Sequence, residues 1–288
     1  MKIGITGATG FIAGELIPRL VERGHECVAF SRSASRTVPG CVSTRAIDTT
    51  ASPDLSGLDA MVNLAGESIM GRWSASKQRR IRESRIGVTR ALIEELPTSK
   101  VRVLVSASAT GIYGHRGEEL LTEASAPGTG FLADVCGKWE AEAMRARTSD
   151  IRVVLPRIGF VVSPHGGGMD RIRPIFRFGL GGRLGDGQQW MPWVHVIDVA
   201  DFIVHALESE SCYGAFNAVS PNPVRNVDFT RSLAATLHRP AFFAVPATVL
   251  RTTLGEFSSL VLDSQRVAPE RTLASGYAFQ FPTLSDAI

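Results

Sequence analysis

Two rhythms of apolar and polar positions alternate along the first 163 residues. Lys2 to Thr6 is a short β-branched run of the kind a buried parallel strand shows, and Ile12, Leu16, Ile17 and Leu20 then recur at helical spacing. The same alternation repeats downstream. "ECVAFSR", "STRAID", "LDAMVNLAG", "VRVLVSAS" and "IRVVLPRIGFVV" read as second to sixth strands, with a helix from a Ser74 cap to about Leu96 and another over "DVCGKWEAEAMRAR". Strands alternating with helices predict an α/β fold: a doubly wound, mostly parallel Rossmann sheet with its ligand at the carboxyl ends of the strands.

The rhythm breaks after Ser163. "PHGGGMDRIRPIFRFGLGGRLGDGQQWMPWVH" is rich in Gly, Arg and Trp and lacks strand periodicity, so 164–194 reads as an insertion closing over the sheet edge on the substrate side. Residues 195–240 return to the sheet, with Asp198 expected to N-cap "VADFIVHAL" and Asp201 following as in a capping box. The remainder, 241–288, suggests helices with Pro-marked breaks and predicts a small, mostly helical C-terminal cap beside the Rossmann domain of 1–163. No repeats or low-complexity tracts occur.

Chemistry enters at the first turn. Between strand one and its helix stands Gly7-x-x-Gly10-x-x-Ala13, where the glycines let the backbone pass close to a partner and a helix N-terminus offers free N–H groups to a phosphate. At the end of the second strand, NAD sites place a carboxylate that takes the ribose hydroxyls. Here no carboxylate occurs between Phe30 and Gly40, whereas Arg32 and Arg36 do. A guanidinium suits a 2′-phosphate through charge-assisted hydrogen bonds, so the expected cofactor is NADP(H). Arg85 falls within the apolar stripe Ile81, Val88, Leu92 and needs an acceptor, for which Glu67 and a cofactor phosphate are the two candidates.

Bulk numbers narrow the class. A chain of 288 residues, 44% hydrophobic and 20% charged, can bury a large α/β core. The net charge of +3 and the lack of a basic run interleaved with aromatics argue against a nucleic-acid partner, and Lys77, Arg79, Arg80 and Arg82 read as a solvated helix face. Cys27, Cys41, Cys136 and Cys212 are widely spaced, which suits thiols of a reducing compartment and offers neither a disulfide frame nor a metal site. The glycine turn comes too early for a signal peptide's apolar stretch, and no segment reaches membrane-spanning length. A cytoplasmic protein with a small-molecule substrate and no membrane partner is the expectation.

Several motifs together resemble one family: "TGATGFI", "SR", "NLAGESI", "RW", "SRIGVTRALI", "SASATGIYG", "KWE", "GLGGRLGDGQQWMPWVH" and the tail "GEFSSLVLDSQRVAPERTLASGYAFQFPTL". The chain resembles, over essentially its whole length, the atypical short-chain dehydrogenase/reductases known as epimerase-family proteins, which carry a C-terminal domain of unassigned function. That resemblance implies that Gly7, Thr9, Gly10, Phe11 and Ile12 cradle a pyrophosphate and that Ser31 and Arg32 hold the 2′-phosphate. It further implies that Leu64 and Ala65 pack on the adenosine side and that Arg85 and Lys138 reach the cofactor from two helices.

The departures bear on activity. Active short-chain dehydrogenases use Tyr-x-x-x-Lys, and here that spacing lands on Asp134-x-x-x-Lys138. The family's serine corresponds to Ser108, and Tyr113 is the nearest spare phenol, so these two are the expected proton-transfer residues. In "GDGQQWMPWVHV" Met191 replaces the arginine with which sugar-nucleotide enzymes of the family grip a diphosphate, so a pocket flanked by Trp190 and Trp193 is expected to take an uncharged or aromatic molecule. His195 reads as a core histidine, and Trp139-Glu140 as residues packing their helix on the sheet. The expected activity is that of an NADP(H)-dependent oxidoreductase. The alternatives are a sugar-nucleotide epimerase or dehydratase and a catalytically silent NADPH-binding sensor.

Overall fold

Seven parallel strands form the central sheet: β1 (Lys2–Thr6), β2 (Glu26–Ser31), β3 (Cys41–Ala46), β4 (Ala60–Asn63), β5 (Val103–Ser106), β6 (Arg152–Ile158) and β7 (Gly214–Ala218). Their order across the sheet is β7-β6-β5-β4-β1-β2-β3, with the short strand Ser108–Ala109 pairing beside β6. The computed structural model describes residues 1–47 and 52–288. Asp48, the last residue of the expected third strand, lies outside the described residues. The inner strands are buried on both faces, which is why they read as continuous apolar runs, whereas β3 carries the polar "STR" because it is the sheet edge.

Helices cover both faces. On one, Leu16, Ile17 and Leu20 of α1 (Phe11–Glu22) and Phe202 and Ile203 of α6 (Val196–Glu208) pack on Ile3 and Ile5. On the other, Leu92 and Ile93 of α3 (Val88–Glu95) and Ala143 of α4 (Phe131–Met144) pack on Phe30, Met61 and Leu104. This is the doubly wound arrangement that the alternating pattern predicts.

The expected single helix from Ser74 is interrupted. Ser74 does cap α2 (Ala75–Arg82), accepting from the Lys77 N–H, but a π-helical turn over Glu83–Gly87 separates α2 from α3. The turn has local work: Ser84 Oγ accepts from the Glu67 N–H at 2.8 Å, and Arg85 donates to the Glu67 carbonyl at 3.0 Å. The N–H and the carbonyl of Glu67, in the loop after β4, are thereby both held, and π turns recur where a helix makes such an adjustment.

The sixth expected strand splits at Gly159. β6 stays in the main sheet, while Phe160–Val162 pairs with Trp193–His195. The insertion is more ordered than its lack of periodicity suggests. It contains α5 (Met169–Arg177), and Gly182–Leu184 pairs with Phe243–Val245. Strands of two or three residues are too short to show a period of two.

Asp198 corrects the expected cap. The N-cap of α6 is His195, whose Nδ1 accepts from the Ile197 N–H at 3.3 Å. Asp198 is instead 1% exposed and accepts from the Tyr277 hydroxyl (3.1 Å) and from the N–H groups of Gln280 (2.7 Å) and Phe281 (3.1 Å). Burial raises its pKa despite those donors. Asp201 pairs with Arg19 at 2.8 Å. These carboxylates fasten the C-terminal tail to the sheet layer. After α7 (Asn226–Thr236) and α8 (Ala247–Leu254), the tail contains the short helices Ser259–Leu262, Glu270–Ala274 and Leu284–Ala287.

Candidate functional site

Strand order reverses between β1 and β4, and it is at the carboxyl ends beside such a switch point that doubly wound sheets hold their ligand crevice. Gly7 follows β1 there with φ +63°, and a Cβ on it would lie 2.5 Å from the Leu64 carbonyl oxygen. The glycine is therefore required for the two loops to meet at all, before any ligand is considered. Gly10 starts α1 with no side-chain cap, which leaves the leading N–H groups of the helix open toward the crevice. Gly7, Thr9, Gly10, Phe11 and Ile12 follow the end of β1, Leu64 and Ala65 follow the end of β4, and Ser31 and Arg32 stand at the end of the adjacent β2. None of these is fully buried. Arg32 is exposed and makes no hydrogen bond or ion pair among the described residues.

Behind the crevice lies a polar network absent from the sequence reading. Thr6 Oγ1 donates to Asn63 Oδ1 (2.6 Å), and Asn63 Nδ2 donates to Thr89 Oγ1 (2.8 Å) and Ser106 Oγ (3.1 Å). Trp139 Nε1 donates to the same Thr89 hydroxyl (2.9 Å). Thr6, Asn63, Thr89 and Ser106 are all 0% exposed, so the ends of β1, β4 and β5 are locked to α3 and α4 through bonds that have no water to compete with them. Trp139 thus packs α4 on the sheet, as expected.

Of the two expected acceptors, Glu67 receives Arg85 on its main-chain carbonyl and not on its carboxylate, which pairs with Lys77 at 2.8 Å. The guanidinium lies against Gly66 and over the Trp139 ring at 5.4 Å, bonds the Glu67 main chain, and has its pKa lowered by burial. Lys138 is 62% exposed, with Nζ 2.6 Å from Asp134 Oδ1. Hydrogen bonding from Lys138, with help from Arg82 at 3.6 Å, holds the Asp134 carboxyl below its ordinary range.

The two expected proton-transfer residues are corrected. Tyr113 is 0% exposed; its hydroxyl donates to Asn217 Oδ1 (2.7 Å) and accepts from Arg157 (2.9 Å). Burial raises its pKa. Ser108 is 3% exposed and donates to Glu140 Oε1 at 2.6 Å. Glu140 in turn takes two bonds of 2.9 Å from Arg157, whose charged form this pairing favours. Both hydroxyls are tied into one buried ion-pair cluster.

The stretch around Met191, where a pocket is expected, is partly core. Trp193 is 0% exposed and packs with Phe229 and Leu233 of α7, because its strand is drawn into the core by pairing with Phe160–Val162. Met191 accepts from Asn226 Nδ2, and Trp190 lies beside the Arg225 guanidinium at 4.4 Å. A cavity of about 640 Å³ lies elsewhere, between the loop carrying Trp73, the start of α4 at Phe131, the loop at His115, and the segment holding Arg251, Glu256 and Asp263. The tail read as a cap therefore supplies one wall of it.

Gly166 and Gly167 were read only as part of an insertion. A Cβ on either would come within 2.6 Å of the Phe11 ring, so this loop lies on the first residue of α1. The signal was present as a run of three glycines, Gly166 to Gly168, but nothing in the local pattern names Phe11 as its partner.

A doubly wound parallel sheet with an uncapped helix N-terminus at its switch point defines a Rossmann-type α/β protein. The chain belongs to the NAD dependent epimerase/dehydratase family, whose model matches residues 3–218. Residues 245–288 match a domain of unknown function, DUF1731. Among relatives, the chain is 37% identical over 300 residues to a chloroplastic SDR39U1 homolog of Arabidopsis thaliana, covering 100% of this chain and 86% of that protein. It is 35% identical over 294 residues to the epimerase family protein YfhF of Bacillus subtilis, covering 100% of this chain and 97% of that one. The crystal structure of human epimerase family protein SDR39U1 with NADPH superposes with a TM-score of 0.91 at 33% identity, covering 100% of this chain and 97% of that chain. The expected family and fold are borne out.

Proposed function

We propose that the chain binds NADP(H) in the β1–β4 crevice and is an oxidoreductase acting on a small, non-nucleotide carbonyl or hydroxyl compound. The observation that carries this reading is Arg32: a guanidinium that makes no hydrogen bond or close ion pair among the described residues, at the end of β2 where an NAD site would place a carboxylate. The NADPH in the human relative's structure supports the same choice. The residues fit the group. The open N–H groups of α1 suit a pyrophosphate, Ser31 and Arg32 a 2′-phosphate, and Leu64 and Ala65 an apolar adenosine face, while Arg85 and Lys138 would reach in from the helices. Bound NADPH would supply a hydride to a carbonyl carbon. Calorimetry tests the reading: NADPH is expected to bind the unmodified protein more tightly than NADH, and equal affinities would overturn it.

The large cavity favours an uncharged substrate over a sugar nucleotide. Its charged walls are Arg251 against Glu256 and Asp263, so a diphosphate would meet more carboxylates than guanidiniums. Burial raises the Asp263 pKa. A cytoplasmic site of action belongs to the same proposal and is supported by four free cysteines. Among the described residues no helix is long and apolar enough to cross a membrane.

A second reading, an NADPH-binding sensor without turnover, is favoured by Asp134 at the tyrosine position. The two readings separate on whether NADPH is oxidised over a panel of carbonyl compounds. If turnover occurs, Asp134→Asn is expected to leave it within about threefold, worth roughly 0.6 kcal/mol, because an ionised carboxylate is a poor proton donor. Loss of hydride transfer in that variant with NADPH still bound would make Asp134 the catalyst.

The loop on Phe11 gives a further expectation. Gly167 has φ +66°, so Gly167→Ala carries about 1–2 kcal/mol of backbone strain and also displaces the Phe11 ring at the start of α1. Thermal unfolding with and without NADPH is expected to show a lower melting temperature and a smaller NADPH-induced rise. An unchanged rise would place the loop outside the cofactor site.

A further inference from the structure

His115 and the C-terminal region together form the polar end of the 640 Å³ cavity. The loop bearing His115 is held to Ser264 and Gln265 by four hydrogen bonds. Arg116 N–H donates to the Ser264 carbonyl (2.9 Å), and Ser264 Oγ donates to the Gly117 carbonyl (2.7 Å). Gln265 Nε2 donates to the Gly114 carbonyl (3.0 Å), and the Ser264 N–H donates to His115 Nδ1 (3.0 Å). The last bond decides the tautomer. A neutral imidazole that accepts at Nδ1 carries its proton on Nε2, so the ring keeps one N–H donor. No hydrogen bond engages Nε2 among the described residues, and the ring is 62% exposed.

The surroundings specify what that donor can meet. Trp73 and Phe131, with ring centroids 5.1 Å apart, form an aromatic wall backed by Phe257. Arg82 lies over the Phe131 ring at 4.7 Å. The Glu256 carboxylate is occupied by the Gln78 amide. Asp263 Oδ1 stands 4.0 Å from His115 Nδ1, and Arg251 also acts on that carboxyl. Aromatic surface, a near balance of charge and one free N–H donor suit a flat, neutral molecule with a single oxygen acceptor.

We propose that this cavity takes an uncharged aromatic aldehyde or ketone, its ring against Trp73 and Phe131 and its carbonyl oxygen on the Nε2–H of His115, which gives that oxygen a hydrogen bond where the tyrosine is missing. The proposal rests on the oxidoreductase reading given above. The balance is simple: a hydride from bound NADPH would add to the carbonyl carbon, the C=O π pair would go to oxygen, and a water molecule would protonate that oxygen and leave hydroxide to the solvent. The carbonyl is reduced to an alcohol as the nicotinamide is oxidised. His115 donates a hydrogen bond throughout and keeps its own proton.

Benzaldehyde and toluene serve as probes, since they share a ring and differ in the acceptor. NMR of the six histidine rings, with the His115 signal assigned by its loss in His115→Phe, is expected to show that signal shifting with benzaldehyde and not with toluene. The unmodified protein is expected to bind benzaldehyde about fivefold more tightly than toluene, the increment of one neutral hydrogen bond. His115→Phe is expected to erase that preference, and His115→Gln, whose amide retains an N–H, to restore part of it. Hydride transfer to benzaldehyde in a single-turnover assay should slow at least tenfold in His115→Phe. NADPH affinity, measured alongside, should be unchanged in every variant. A preference that survives in His115→Phe overturns the role of His115, and a His115 signal indifferent to benzaldehyde overturns the cavity assignment. Failure of NADPH to bind the unmodified protein overturns the underlying reading instead.

Discussion

Glu140→Ala is expected to cost about 3–5 kcal/mol of folding stability, the loss typical of breaking one side of a buried ion pair. The reason is what remains. Arg157 has a side chain 9% exposed and directs two of its nitrogens at the Glu140 carboxylate. Without that carboxylate the guanidinium stays buried with only the Tyr113 hydroxyl (2.9 Å) and the Glu123 carbonyl (3.2 Å) as hydrogen-bond partners among the described residues. Ser108 loses its acceptor as well. Urea unfolding measures the cost, and a loss below about 1 kcal/mol, the range of a single neutral hydrogen bond, would show that the cluster is not held together by charge. Glu140→Gln keeps the volume and one oxygen acceptor, so it should fall between the two proteins. A cluster that joins α4, β6 and the loop of Tyr113 explains why Ser108 and Tyr113 belong to stability.

What could be read from the residues follows from how far apart the interacting parts are. Ile3, Ile5, Leu16 and Leu20 announce their burial locally, because the strand and helix periods are visible within a few residues. Gly7 and Arg32 were legible for the same reason: each derives its meaning from its place at the end of a recognisable strand. Asp198 shows the opposite case. As an acidic residue at the start of a helical run it matches a cap, but Tyr277, Gln280 and Phe281, which supply its donors, arrive about eighty residues later. Tyr113 and Ser108 failed similarly, since nothing near them names Arg157 or Asn217 as partners. The cavity was invisible in the pattern because its walls come from four separate segments. Trp190 and Trp193 instead drew attention to a stretch that the fold uses partly as core.

The β2 end carries the second large effect, on cofactor choice. Arg32→Ala is expected to weaken NADPH binding by about 1.5–3 kcal/mol, roughly tenfold to a hundredfold, and to leave NADH binding nearly unchanged. Arg32 is exposed and makes no hydrogen bond or ion pair among the described residues, so its removal breaks no contact of the folded chain and stability should hold. A 2′-phosphate gives the guanidinium a charge-assisted, potentially forked pair of hydrogen bonds, and NADH has no group at that position. One competing charge is the Glu67 carboxylate, which Arg32 influences electrostatically, but Lys77 already bonds it at 2.8 Å. Arg32→Lys separates charge from geometry: an ammonium keeps the attraction and loses the fork, so it should retain part of the NADPH preference. Because the contact is solvent-exposed, the NADPH advantage should also shrink as salt is raised. Calorimetry on the three proteins at two ionic strengths decides the point, and an NADPH preference that persists unchanged in Arg32→Ala would move recognition of the 2′-phosphate to other residues of the crevice.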